Sequence, residues 1–171
     1  MGQLDKLETT LDGVFNKNSP VKIPPEGRKT LAGALWWLAL VFGILQLWAA
    51  WGYWRVGHLI DYANSLSVMY GGDVMSRGLG LFYYLTLLVL IVVGVLSLLA
   101  APGLKAMRKA GWNLLFYSLL VNVVYGVIRL FSDYGGMGDL FWALASSAIG
   151  AFLLFQVRDN FVKSQPASHK K

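Results

Sequence analysis

The chain has no cysteine. That excludes disulfides, thiolate-held metals, iron–sulfur clusters and thiol redox chemistry. Charge is the second scarcity. Asp, Glu, Lys and Arg make up 14% of the 171 residues, well below the roughly one quarter usual in soluble domains. Histidine occurs only at His58 and His169, both outside the apolar stretches, so paired intramembrane haem ligands are excluded. No Ser/His/Asp set, metal-ligand spacing or phosphate-binding glycine loop is present. The expectation is a protein that is not an enzyme and carries no cofactor.

What is abundant is apolar surface. Hydrophobic residues reach 56%, more than one soluble core of this size could hide. They also fall in blocks. Leu31 to Trp54, Gly78 to Leu104, Ala110 to Ile128 and Leu140 to Val157 contain no charged residue. Each has the roughly 17–25 residues a helix needs to cross hydrocarbon, and a lone apolar span must satisfy its own backbone hydrogen bonds as a helix. The expected fold is all-α: a four-transmembrane-helix bundle of two tandem hairpins, with spans at about 31–54, 79–102, 111–131 and 140–157. These spans form a membrane domain over 29–158, preceded by a polar segment over 1–28 and followed by a basic tail over 159–171.

Lys and Arg set the orientation. Twelve of the fifteen lie in the N-terminal segment, the loop around Lys105, Arg108 and Lys109, and the tail; Arg55, Arg77 and Arg129 lie on the other side. The positive-inside rule then puts both termini in the cytoplasm of a multi-pass cell-membrane protein. The net charge of +6 is a topology signal, so nucleic acid is not an expected partner. About thirty mostly polar residues precede the first span, and no cleavable leader is visible in them.

Outside the spans, Leu4, Leu7, Leu11, Val14 and Phe15 share one helical face, while Asp5, Lys6, Glu8 and Asp12 take the other. This spacing predicts an N-terminal amphipathic helix that rests in the headgroups or on the bundle, with docking to a partner as the sharper reading. Pro20, Pro24 and Pro25 keep the following linker extended. Leu59, Tyr62, Ala63, Leu66, Met69 and Tyr70 predict a separate interfacial helix in the first outer loop, ending at Gly71-Gly72-Asp73. Tyr70-Gly71-Gly72-Asp73 is echoed by Tyr134-Gly135-Gly136-Met137-Gly138-Asp139, which motivates the tandem-hairpin layout.

No ionisable group falls near an expected midplane, where such groups are costly and functional. Milder polar residues recur at helical spacing instead: Gln46 on the first span, Thr86 and Ser97 on the second, Ser118, Asn122 and Arg129 on the third, Ser147 on the fourth. With their small neighbours they predict inward helix-packing stripes, and a pathway is the alternative. Arg129 is expected to pair with Asp133 four residues on or, as the alternative, to hold an anion in its fork of donors. Asp61, Asp73, Asp133 and Asp139 gather on the outer side, where solvated loop acids are the ordinary reading and a divalent cation the other.

Leu4-Asp5-Lys6-Leu7-Glu8, Pro24-Pro25, Trp48-Ala49-Ala50-Trp51, Gly111-Trp112-Asn113-Leu114-Leu115-Phe116 and Leu153-Leu154-Phe155-Gln156-Val157-Arg158 resemble small four-helix membrane proteins of candidate-phyla bacteria. The resemblance implies a bacterial inner-membrane protein and brings no activity. Two functions fit these expectations. One is a non-catalytic accessory or interaction subunit acting through helix packing. The other is a small transporter or channel that works as a homo-oligomer. The bilayer, another membrane protein or a second copy of the chain are the expected partners.

Overall fold

The computed structural model describes residues 2–73, 80–129 and 137–162. Those residues are helical with short connections, and no strand occurs among them. Helix α1 covers Gln3–Asp12 and runs into one wide π turn, Gly13–Lys17. Then follow α2 (Pro25–Met69), α3 (Leu81–Lys105), α4 (Lys109–Arg129), α5 (Met137–Gln156) and the short α6 (Arg158–Val162).

Three of these helices, α2, α3 and α4, are long and apolar enough to cross a membrane, and α5 adds a shorter apolar stretch, Leu144–Gln156. Their outward faces keep Phe42, Trp48, Leu88, Leu99 and Ile149 largely exposed. A water-soluble protein does not leave so much contiguous apolar surface uncovered. The helices are those of a multi-pass membrane protein.

The order of packing follows the chain. α2 lies against α3, α3 against α4, and α4 against α5; among the described residues α2 and α5 are not a closely packed pair. Because α3 packs closely on both neighbours, the two halves of the chain do not separate into independent hairpins. All three contacts are antiparallel. A β-carbon on Gly43 would meet Leu98, and Gly94 faces Leu47 and Gln46. The α3–α4 corner is tighter still: a β-carbon at Gly111 would collide with the backbone of Ala100, Gly103 and Leu104. Small residues at such points let backbones approach where lipid offers no hydrophobic drive.

One end of the bundle therefore gathers α1, α6, the start of α2 and the α3–α4 connection (the terminal end). The other gathers the end of α2 and the start of α3 (the loop end). At the terminal end Lys105 lies 5.1 Å over the ring of Trp36. At the loop end Arg55 lies 5.0 Å over Trp51. From Trp36 to Arg55 along α2 is roughly 28 Å at ~1.5 Å per residue, close to the ~30 Å of bilayer hydrocarbon.

Three expectations change. The separate interfacial helix of the first outer loop does not form: α2 continues without a break to Met69, because nothing between Arg55 and Met69 stops a helix before Gly71 at φ 76°. Helix α2 also starts earlier than expected, since Pro25 suits a first helical turn, and α3 continues through Pro102 to Lys105. The basic tail begins as a helix, Arg158–Val162, with Phe161 buried.

The N-terminal arm forms the expected helix and rests on the bundle. Its acidic side, not its leucine side, faces the bundle: Glu8, Asp12 and Asn16 are buried, while Leu4, Leu7 and Val14 stay exposed. Phe15 and Leu11 do pack on the core. The reason is Arg158, whose guanidinium donates to Glu8 at 2.9 Å and 2.5 Å and lies 3.7 Å from Asp12. Lys109 stands 3.4 Å from Glu8 as well. Gln156, fully buried, completes the attachment. Its amide donates to Phe15 O at 2.8 Å and its oxygen accepts from Ile23 N at 3.3 Å.

Candidate functional site: a blind slot inside the bundle

A cavity of about 560 Å³ lies between α2, α3, α4 and α5. A sphere of that volume would be about 10 Å across, yet the cavity follows α4 from Leu115 to Arg129, about 21 Å at ~1.5 Å per residue. It is a slot. α3 and α4 form its floor through Val93, Ser97, Ser118 and Asn122. α2 and α5 form its two sides, and their lack of close packing leaves it open laterally, with Phe42 and Ser146 exposed at its edges.

Its chemistry changes along its length. Toward the terminal end the walls are Leu35, Leu38, Ala39, Leu115, Leu153 and Leu154. Toward the loop end they are Gln46, Asn122, Tyr125, Ser146, Ser147 and Arg129. Arg129 is the single charged side chain among the described residues of the lining, and no carboxylate is among them. Helical spacing sets its depth. Tyr125 shares a 2.6 Å hydrogen bond with Thr86, and one turn farther along α3 Tyr83 stacks on Tyr53 at 4.9 Å. One turn beyond Tyr125, Arg129 therefore lies level with Tyr53 and Arg55.

The deep end is closed. Below Leu154, the rings of Trp112, Phe116 and Phe155 pack edge-on and stacked with centroids 5.3–5.7 Å apart. All three are essentially inaccessible. Trp112 donates its indole N–H to Leu154 O at 2.9 Å, which satisfies the one polar group in the plug. The arm, Gln156 and Arg158 lie behind it. Edge-to-face aromatic packing of this kind leaves few voids.

The expected stripe residues converge on this slot. Gln46, Ser97, Ser118, Asn122, Arg129 and Ser147 all line it. Thr86 does not, but it holds Tyr125, which does. Ser118 and Asn122 also make local bonds, to Leu115 O at 2.8 Å and to Ser118 O at 3.1 Å, which fix their rotamers. Sequence reasoning missed Tyr125, although it lies three residues after Asn122 and four before Arg129, on their face. It also missed the buried set of Glu8, Asp12, Gln156 and Arg158. The i, i+4 acids Glu8 and Asp12 were the available signal.

The outer acids are less informative. Asp61 lies on the exposed end of α2, and the backbone carbonyl of Asp73 accepts from Ser67 Oγ at 2.6 Å. Asp133 and the side chain of Asp139 lie outside the described residues, as do most of the second glycine turn and any Arg129–Asp133 pairing. Among the described residues no group of three or more His, Asp or Glu comes together to hold a metal.

The chain matches no protein-family model, no curated protein and no solved structure.

Proposed function

We propose that this is a four-span cell-membrane protein, both termini cytoplasmic, that works without catalysis by holding a membrane-soluble molecule in the slot. The observation that carries this reading is the cavity itself: about 560 Å³, polar at one end, apolar and closed at the other, and open sideways between α2 and α5. A ligand pocket is typically ~300–1,000 Å³ and mostly apolar with a few convergent polar groups. The closed end argues against the channel reading, because a conduction path needs an exit. Lys6, Lys17, Lys22, Arg28, Lys29, Lys105, Arg108 and Lys109 collect at the terminal end, which supports its cytoplasmic placement.

The test is native mass spectrometry of the full chain released from mild detergent. A retained small adduct, lost when Ser147→Phe fills the slot at unchanged folding, is the expected result. An empty wild-type protein under conditions that keep bulk lipid bound sinks the reading.

The interaction-subunit reading keeps one supporting observation. Beyond Tyr83, which marks where α3 begins beside α2, α2 extends a stripe of exposed Val56, Leu59, Tyr62 and Met69. Apolar exposure at such a place suits contact with another chain. Leu59→Glu with Tyr62→Glu is expected to abolish recovery of a co-purifying subunit or dimer.

A further inference from the structure

We infer that two copies of this chain pair through α2, parallel and in register. Leu45, Ala49, Gly52 and Val56 form the seam up to the loop-end boundary of the apolar belt, and Leu59, Ala63, Leu66 and Tyr70 continue it beyond. This rests on the interaction reading above and names the partner as a second copy of the chain.

The repeat comes first. From Leu45 to Tyr70 the seam residues alternate steps of four and three, and each is apolar or glycine. An apolar step of 3.5 residues sustained over more than three heptads is the pattern of helices that supercoil about one another. Lipid asks for no such period. Beyond Arg55 polar residues interrupt the apolar ones, and they fall off the seam: His58, Asp61, Asn64 and Ser65 take the opposite side of the helix. Arg55 is the one charged residue among the seam and its flanking positions, and its guanidinium lies over its own Trp51.

The second point is what leaves this face uncovered. α3 packs on the other side of α2, at Gly43 and Gly57, where Leu98 and Tyr83 approach. Val56, Leu59 and Tyr70 are 54%, 63% and 84% exposed. Lipid does not reach them all. α2 rises about 21 Å from Arg55 to Met69, whereas headgroups extend roughly 5–8 Å past the hydrocarbon. An apolar stripe left in water beyond that point marks contact with protein.

The third point selects the occupant. Copies of one chain in one membrane share an orientation, so their α2 helices are parallel. In register each layer meets itself. Val56 then takes the position where a β-branched residue favours two strands, and Leu45, Leu59 and Leu66 take the position where leucine does. Gly52 gives the close approach: a β-carbon there would enter open space. It sits in a shallow groove with Leu45, Trp48, Ala49 and Val56, and small residues let helix backbones meet in lipid. Trp48, Tyr62 and Tyr70, 64–84% exposed, offer roughly 300–500 Å² a side. With Leu45, Val56, Leu59 and Met69 added, two copies pass the ~1,000 Å² that a specific interface needs.

The experiment is a cysteine scan of α2 in the full, otherwise cysteine-free chain, oxidised in its own membrane and read on non-reducing gels. Ala63→Cys, Leu66→Cys and Tyr70→Cys should give several-fold more linked homodimer than Asp61→Cys, Ser65→Cys and Val68→Cys. A disulfide needs β-carbons roughly 3.5–4.5 Å apart, and only the seam brings a residue near its own copy. Native mass spectrometry of the unaltered chain should read twice the mass of one chain, falling to one chain when Leu59→Glu and Leu66→Glu are combined. The single-cysteine variants keep the result readable if the glutamate variant misfolds. Equal yields around the helix, or a maximum on the Asp61 side, overturn the seam. One copy held by a different subunit, lost in the glutamate variant, overturns self-pairing and leaves the interaction reading standing. A lone chain with no linked dimer and no subunit overturns both.

Discussion

At the scale of single residues, the molecule depends on places where one atom more or less decides the packing. Gly111 is the sharpest. Its Cα lies against the Gly103 backbone, and an added β-carbon would meet main chain rather than a movable side chain. Gly111→Ala is expected to destabilise the bundle by roughly 1–3 kcal/mol, as overpacking does, read as a lower unfolding temperature in detergent. Gly33→Ala is the control, because its β-carbon enters open space, and should stay within about 0.5 kcal/mol of the parent. Glu8 is the second such place. With its side chain only 11% exposed and Arg158 at 19%, the pair is largely out of water, so deleting one partner strands the other. Glu8→Ala should cost about 2–3 kcal/mol, below the ~3–5 of fully buried pairs because Asp12 still faces Arg158. The expected signature is faster proteolysis of residues 3–17 with the spans still protected.

At the scale of elements, α2 is where expectation and structure diverge most. A 45-residue helix rises about 68 Å, more than twice the hydrocarbon thickness. Apolar residues at helical spacing beyond Arg55 were legible in the sequence. What they could not tell is whether that second stretch turns flat onto the interface or continues straight, because both arrangements have the same local period. The deciding feature is the lack of a stop between Trp54 and Gly71, an absence that periodicity does not weigh. Spin labels on Ala49→Cys and Met69→Cys should lie about 30 Å apart along the axis if the helix is unbroken; a marked shortening in the pulsed dipolar distance would mean a turn near Arg55. The arm forms as the helix its spacing predicts, and what its local pattern does not show is which side meets the bundle. The partner that turns its acidic side inward, Arg158, lies 150 residues away in the chain and has no local signature. The faces that carry Gln46, Ser97, Ser118, Asn122 and Ser147 stand out in the sequence as small and weakly polar residues at helical spacing, but that spacing reads as helix packing and holds no sign of the gap between α2 and α5 that leaves them lining a slot.

At the scale of the whole molecule, the slot's asymmetry and the chain's expected orientation make one joint claim that neither makes alone. If the terminal end is cytoplasmic, the polar mouth at Arg129 faces outward, and the aromatic plug with the arm behind it blocks the cytoplasmic route. The lack of cysteine makes this directly testable, since any introduced thiol is the only one. Asn122→Cys, about 10 Å below Arg129 at ~1.5 Å per residue, should react with a small membrane-impermeant thiosulfonate applied from outside intact cells. It should not react in inside-out vesicles. Ala39→Cys, at the leucine-lined end and 4% exposed, should be protected from both sides, and Lys22→Cys should react only in the inverted vesicles. Reactivity of Asn122→Cys from the cytoplasmic face would mean that the Trp112, Phe116 and Phe155 plug opens, and a carrier that alternates between faces would then replace the one-sided binding protein. Protection of Asn122→Cys from outside, together with reactive Lys22→Cys in inverted vesicles, would show the orientation right and the mouth occluded. Arg129 is exposed at the mouth, so reaction of Asn122→Cys from outside is the expected outcome.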